Sequence, residues 1–113
     1  MKNIILKFIR EKKGSVSFIE IENLFKKHNF DYKGNCVLRS PFNEHIVIWE
    51  GWSEKALELI SELENEDLIF FTGGCIFAYM VDGKFPSLPI AKKDYPYKTD
   101  HWLPTFINLR EMN

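Results

Sequence analysis

A chain of 113 residues that is 45% hydrophobic and 15% aromatic has the size of one domain and enough apolar surface for a core. That composition excludes disorder along the whole length. The formal net charge of −1 gives no basic excess of the kind that advertises nucleic acid.

Residues 2–12 read as a first helix, with Ile5, Phe8, Ile9 and Lys12 on one face and Gly14 as its stop. Ser15 to Ser17 form a short extended link. Ser17 with Glu20 is a capping box opening a second helix, in which Ile21, Leu24 and Phe25 lie at i, i+3 and i+4. Lys26, Lys27 and His28 fall in its last turn, where cations suit the dipole. After a turn-rich loop at 29–35, the β-prone runs 36–38 and 45–49 predict a small hairpin that Gly51 breaks. Ser53 then caps a third helix over 54–66, with Ala56, Leu59, Ile60 and Leu63 on one face. The runs 68–72 and 75–81 flank Gly73-Gly74, which predicts a second hairpin with a tight glycine turn. Residues 106–109 read as a final strand.

The order helix, strand, helix, helix, hairpin is that of a winged helix-turn-helix in an α+β domain. The 36–49 hairpin is inserted between helices two and three, where the motif has a short turn. The expected organisation is a winged-helix unit over 1–84 with an extended segment, 85–113, packed on it.

Residues 85–106 hold four of the five prolines, with Lys92, Lys93, Lys98 and five aromatic residues. Each proline removes a backbone donor and fixes φ, so neither a continuous helix nor a central strand fits here. The aromatic content is too high for a bare linker. Such a segment either clasps its own domain or holds something else. Leu88 to Ile90 and Trp102 to Phe106 are expected to anchor it, with Lys92 to Lys98 as the exposed span.

Charge is unevenly placed. Residues 1–30 carry seven basic and three acidic groups, residues 53–67 six acidic groups against Lys55, and residues 84–113 five basic and three acidic groups. In an ordinary winged helix the third helix enters the major groove. Here it presents Glu54, Glu58, Glu62, Glu64 and Glu66, which oppose phosphate and argue against duplex reading. That acidic face is either simply solvated or a docking face for a basic protein.

Four stretches carry a family resemblance: Ile46-Val-Ile-Trp-Glu-Gly-Trp-Ser-Glu, Tyr79-Met-Val-Asp-Gly, Leu88-Pro-Ile-Ala-Lys and Lys98-Thr-Asp-His-Trp-Leu-Pro. Over roughly residues 15 to 106 the chain resembles small proteins of staphylococcal cassette-chromosome and pathogenicity-island mobile elements. The resemblance implies a winged-helix domain that binds single-stranded DNA, sits beside replication genes and has an unusual apolar pocket. It also implies a C-terminal tail that recruits another protein.

Two groups of residues are candidates for that chemistry. Lys92, Lys93, Tyr95, Tyr97, Lys98 and His101 could bind a single strand, with rings stacking on bases and lysines meeting phosphates. The competing reading is that Tyr95, Tyr97 and Trp102 are stapled to the domain and the lysines serve solubility. Trp49, Trp52, Tyr79 and Trp102 could form an aromatic pocket, or simply pack in the core. Lys2, Lys7, Arg10, Lys12 and Lys13, with Lys26 and Lys27, could extend a basic surface.

Catalysis is not expected. His28, His45 and His101 are scattered, Cys36 and Cys75 make no CxxC, and no metal-binding, phosphate-binding or nucleophile motif is present. No cofactor or metal is expected. No apolar run approaches the ~20 residues of a membrane span, and Met1 to Lys13 is amphipathic rather than leader-like. The expectation is a cytoplasmic protein with reduced thiols that binds single-stranded DNA without sequence preference as a replication accessory. The alternative is a non-catalytic module that holds a replication or regulatory protein.

Overall fold

Helix ends leave backbone N–H and C=O groups without partners, and this chain supplies serine caps, Ser17 and Ser53, at the starts of two of its helices. The computed structural model describes residues 1–92 and 96–110. Helix α1 spans Lys2–Lys12, and the left-handed residue that ends it is Lys13 (φ 55°), one position before the expected glycine. Helix α2 spans Phe18–Lys27. The Ser17 hydroxyl accepts from the Glu20 N–H and the Glu20 carboxylate accepts from the Ser17 N–H, both at 3.1 Å, so the capping box forms as expected. Helix α3 spans Glu54–Asn65, its first turn closed by the Ala56 N–H donating to Ser53 Oγ at 3.2 Å.

Two small sheets accompany the helices. In the first, β1 (Val16–Ser17), β6 (Thr105–Leu109) and β4 (Ile69–Gly73) lie in the order β1-β6-β4, with both pairings antiparallel. In the second, β2 (Lys33–Arg39), β3 (Ile46–Trp52) and β5 (His101–Trp102) lie in the order β2-β3-β5. Strands β2 and β3 form the expected inserted hairpin, and β5 adds to β3 in parallel. Gly51 does not end the hairpin. It lies inside β3 at φ 87°, where Trp52 pairs with both Lys33 and Cys36 across a bulge.

The run expected as a second strand, 75–81, is helical. Helix α4 spans Ile76–Asp82 and ends at Gly83 in the left-handed conformation. A continuous apolar run fits a buried strand or a helix equally, and here tertiary pairing decides. Strand β4 takes its partner from β6 instead, over the register Ile69↔Leu109 to Gly73↔Thr105. Neither Gly73 nor Gly74 has a positive φ. Gly74 serves close approach instead, because a Cβ there would sit 3.0 Å from the Phe106 ring.

One core joins these parts. Ile5 and Ile9 of α1, Phe18, Ile21 and Phe25 of α2, and Ile60 and Leu63 of α3 meet Ile69 and Ile107 of the first sheet. Trp49 and Trp52 bring β3 into the same cluster. The result is an α+β fold of four helices and two three-stranded sheets among the described residues. None of those helices is long and apolar enough to cross a membrane.

Candidate nucleic-acid interface

The four residues expected as an aromatic pocket are core residues: Trp52, Tyr79 and Trp102 are fully buried and Trp49 is 1% exposed. Trp49, Tyr79 and Trp102 contact one another, with ring centroids 5.2 to 6.5 Å apart. Trp52 packs against Phe18 and Phe25 instead, at 5.6 and 5.2 Å. Their polar atoms are satisfied internally, as burial demands. The Tyr79 hydroxyl donates to the Thr105 carbonyl at 2.6 Å and accepts from the Phe18 N–H at 3.1 Å. Burial drives the Tyr79 phenol well above its ordinary pKa. Trp49 borders a cleft of about 220 Å³ that also reaches Gly51, Lys84 and Phe85.

The acceptor for two of the indoles is a residue that the helical reading passed over. Trp49 Nε1 and Trp52 Nε1 both donate to Glu22 Oε2, at 3.0 and 2.8 Å, and Lys84 pairs with the other carboxylate oxygen. Glu22 is 1% exposed. Its signal was present in the spacing, since it lies four residues after Phe18 and three before Phe25 on the buried face of α2. A carboxylate on a core stripe calls for buried donors.

The proline-rich segment is laid across this core by its two ends, as expected. Phe85 stacks on Trp102 at 5.5 Å and 8°, while Leu88 and Ile90 pack against the cluster. The Ala91 N–H donates to the Trp102 carbonyl and the Trp102 N–H to the Pro89 carbonyl, both at 2.8 Å. Trp102 therefore belongs to the anchor and not to an exposed stacking strip.

Between the anchors the described residues are Lys92 and 96–100, which lie outside any helix or strand, with His101 opening β5. Lys92 and Lys98 are exposed. Lys93 and Tyr95 lie outside the described residues. The half-buried Tyr97 stacks on His101 with centroids 3.8 Å apart at 21°, and its hydroxyl accepts from the Lys92 N–H at 2.9 Å. Tyr97 is thus tied to the loop while part of it remains at the surface. Arg39 of β2 grips Asp100 with two hydrogen bonds, at 2.9 and 3.2 Å, and His45 Nδ1 lies 3.2 Å from the same carboxylate. Arg39 first, and His45 second, hold the Asp100 carboxyl below its usual pKa. The parallel β3–β5 pairing brings His45 and His101 together, the His101 N–H donating to the His45 carbonyl at 2.8 Å.

The acidic groups of α3 are exposed, as expected. Glu62 and Glu66 share the Lys2 ammonium at 2.6 and 2.7 Å, which ties α1 to α3. Among the described residues no three His, Cys, Asp or Glu side chains gather as a metal ion would require. Cys36 and Cys75 are free thiols. Comparison with protein-family models, curated proteins and solved structures finds no match.

Proposed function

We propose that this chain is a winged-helix protein that binds single-stranded DNA weakly and without sequence preference, as an accessory of a mobile-element replication module in the cytoplasm. The strand order β1-β6-β4 supports the winged-helix part, since β1 lies between α1 and α2 and joins an antiparallel pair that follows α3. On this reading α4 and β5 enlarge the wing between β4 and β6, and contact is made by that wing rather than by the acidic α3.

The observation that carries the DNA reading is the stacked Tyr97–His101 pair on a surface loop with Lys92 and Lys98 exposed beside it. Aromatic rings at a surface accept bases of any identity, at about 1–3 kcal/mol each, and lysines add salt-dependent phosphate contacts. Neither element reads base edges, so little sequence preference follows.

Titration of a fluorescent oligonucleotide at two salt concentrations tests this. Binding at low salt that weakens as salt rises is expected. Replacing Lys92, Lys93 and Lys98 by Glu should cost at least about tenfold in affinity, since each charge reversal also repels phosphate. Lys55→Glu should change little. An absence of binding at low salt, or binding indifferent to salt, would overturn the reading.

A second reading, a module that holds a replication protein, is favoured by α4. Phe77, Met80 and Val81 lie at i, i+3 and i+4 and are exposed, Phe77 and Val81 by 67% and 86%. Exposed apolar clusters of this kind mark interaction surfaces. Recovery of one partner protein after nuclease treatment, lost in Phe77→Ser, would support it. Recovery unchanged in that variant would count against it.

A further inference from the structure

The basic residues of α1 are not equivalent. Lys2 pairs with Glu62 and Glu66, Lys7 with Glu11, and Lys12 with Glu20. Arg10 and Lys13 have no acidic partner among the described residues, and both face the same groove. This groove, of about 390 Å³, runs between the end of α1 and the β4–β6 pair. Its walls include Ile9, Phe70 and Leu109, which are apolar, with Asn108 beside them. The Arg110 guanidinium lies over the Phe70 ring at 4.8 Å and pairs with Asp67 at 2.7 Å. At Gly14 the wall is open, with nothing within 4 Å of where a Cβ would stand.

An apolar floor with one aromatic ring and a rim of two cations without acidic partners matches one kind of ligand. It suits a flat, weakly polar body joined to an anion, which is a nucleotide. The volume is at the small end of ligand pockets, enough for one unit of a strand rather than a duplex. The carbonyls at the end of α1 place partial negative charge nearby, so Arg10 and Lys13 must supply the attraction for phosphate. The Asn108 amide is already engaged, its oxygen with Ser15 Oγ and its nitrogen with Thr72 Oγ1 at 2.9 Å. It therefore shapes the groove and is not its chief recognition group.

We propose that the groove between α1 and the β4–β6 pair is a second contact for single-stranded nucleic acid, with a base against Phe70 and phosphates on Arg10 and Lys13. The proposal rests on the single-strand reading above and adds a separate site to it. A strand that reaches both the Tyr97–His101 pair and this groove gains from the effective concentration of the second contact, whereas a short one engages either alone.

The test is fluorescence anisotropy of a short and a long oligothymidylate, and of a duplex, with the wild type and three variants whose folding is checked by circular dichroism. Arg10→Glu/Lys13→Glu should weaken the long oligonucleotide about tenfold or more. It should also lower the magnitude of its salt slope by about 1.4, two phosphates at ~0.7 each. Phe70→Leu, which keeps the floor apolar but removes the ring, should weaken it about fivefold or more while leaving duplex binding unchanged. Lys92→Glu/Lys98→Glu should weaken it independently. Unchanged affinity and salt slope in the Arg10/Lys13 variant, with the wild type binding, would overturn the groove and leave the single-strand reading standing. Loss in the Arg10/Lys13 variant with none in the Lys92/Lys98 variant would keep the groove and overturn the loop. No binding by the wild type would overturn both.

Discussion

The Trp49–Tyr79–Trp102 cluster and the Tyr97–His101 pair are built from similar side chains, and only the first is sealed. Around the cluster, each indole N–H and the Tyr79 hydroxyl find a partner inside the protein. The Tyr97 hydroxyl is also engaged, but by the Lys92 backbone of its own loop, and both rings of the pair are partly exposed. Aromatic content alone therefore says little about function. What separates the two regions is where the polar handles go and how much ring is left at the surface.

The largest expected effect lies in the sealed region. Glu22→Leu leaves two buried indole donors unsatisfied while the half-exposed Lys84 returns to solvent, so a loss of about 2–5 kcal/mol is expected, read as a fall in the urea midpoint. A loss below about 1 kcal/mol would mean that Glu22 is not the acceptor the two tryptophans depend on.

The open region should respond in the opposite way. Tyr97→Ala should cost about 1–2 kcal/mol in oligonucleotide binding. Its thermal midpoint should hardly move, because the ring is only half-buried. A large fall in stability with unchanged binding would place Tyr97 with the clasp and erase the contrast.

The smallest effect concerns the latch that holds the open loop. Asp100 is depressed in the folded state, by Arg39 first and His45 second. Its contribution to stability is therefore fully present above the ordinary carboxylate pKa, about 3.9, and is lost as pH falls through the lower folded value. Glu44, near both Arg39 and His45, adds negative charge to the same patch. Acid titration followed by NMR should show the amides of 97–101 shifting with Asp100 before global unfolding. In Asp100→Asn that step should vanish, and its persistence would assign the step to another carboxyl.

Much of the fold was legible because its signals are local. The Ser17–Glu20 box, the Ser53 cap and the apolar spacing of α1, α2 and α3 each act within a few residues. The hairpin of β2 and β3 was legible for the same reason, though longer than expected. The glycine pair at 73–74 misled because glycine marks both tight turns and close approaches. Here it admits the Phe106 ring from a strand more than 30 residues away. The Glu22 acceptor could have been found from its position on an apolar stripe. Its partners could not, since Trp49 and Trp52 lie 27 and 30 residues on.

By itself the sequence determined three helices, the inserted hairpin and the two anchors of the proline-rich segment, because caps, periodicity and proline act through near neighbours. Tertiary structure alone decided that 76–82 is a helix, that β6 is the partner of β4, and which aromatic rings are closed to solvent. It also decided which lysines and arginines on α1 are neutralised by acidic partners. Those outcomes depend on groups distant in the chain competing for the same donors, acceptors and apolar surface.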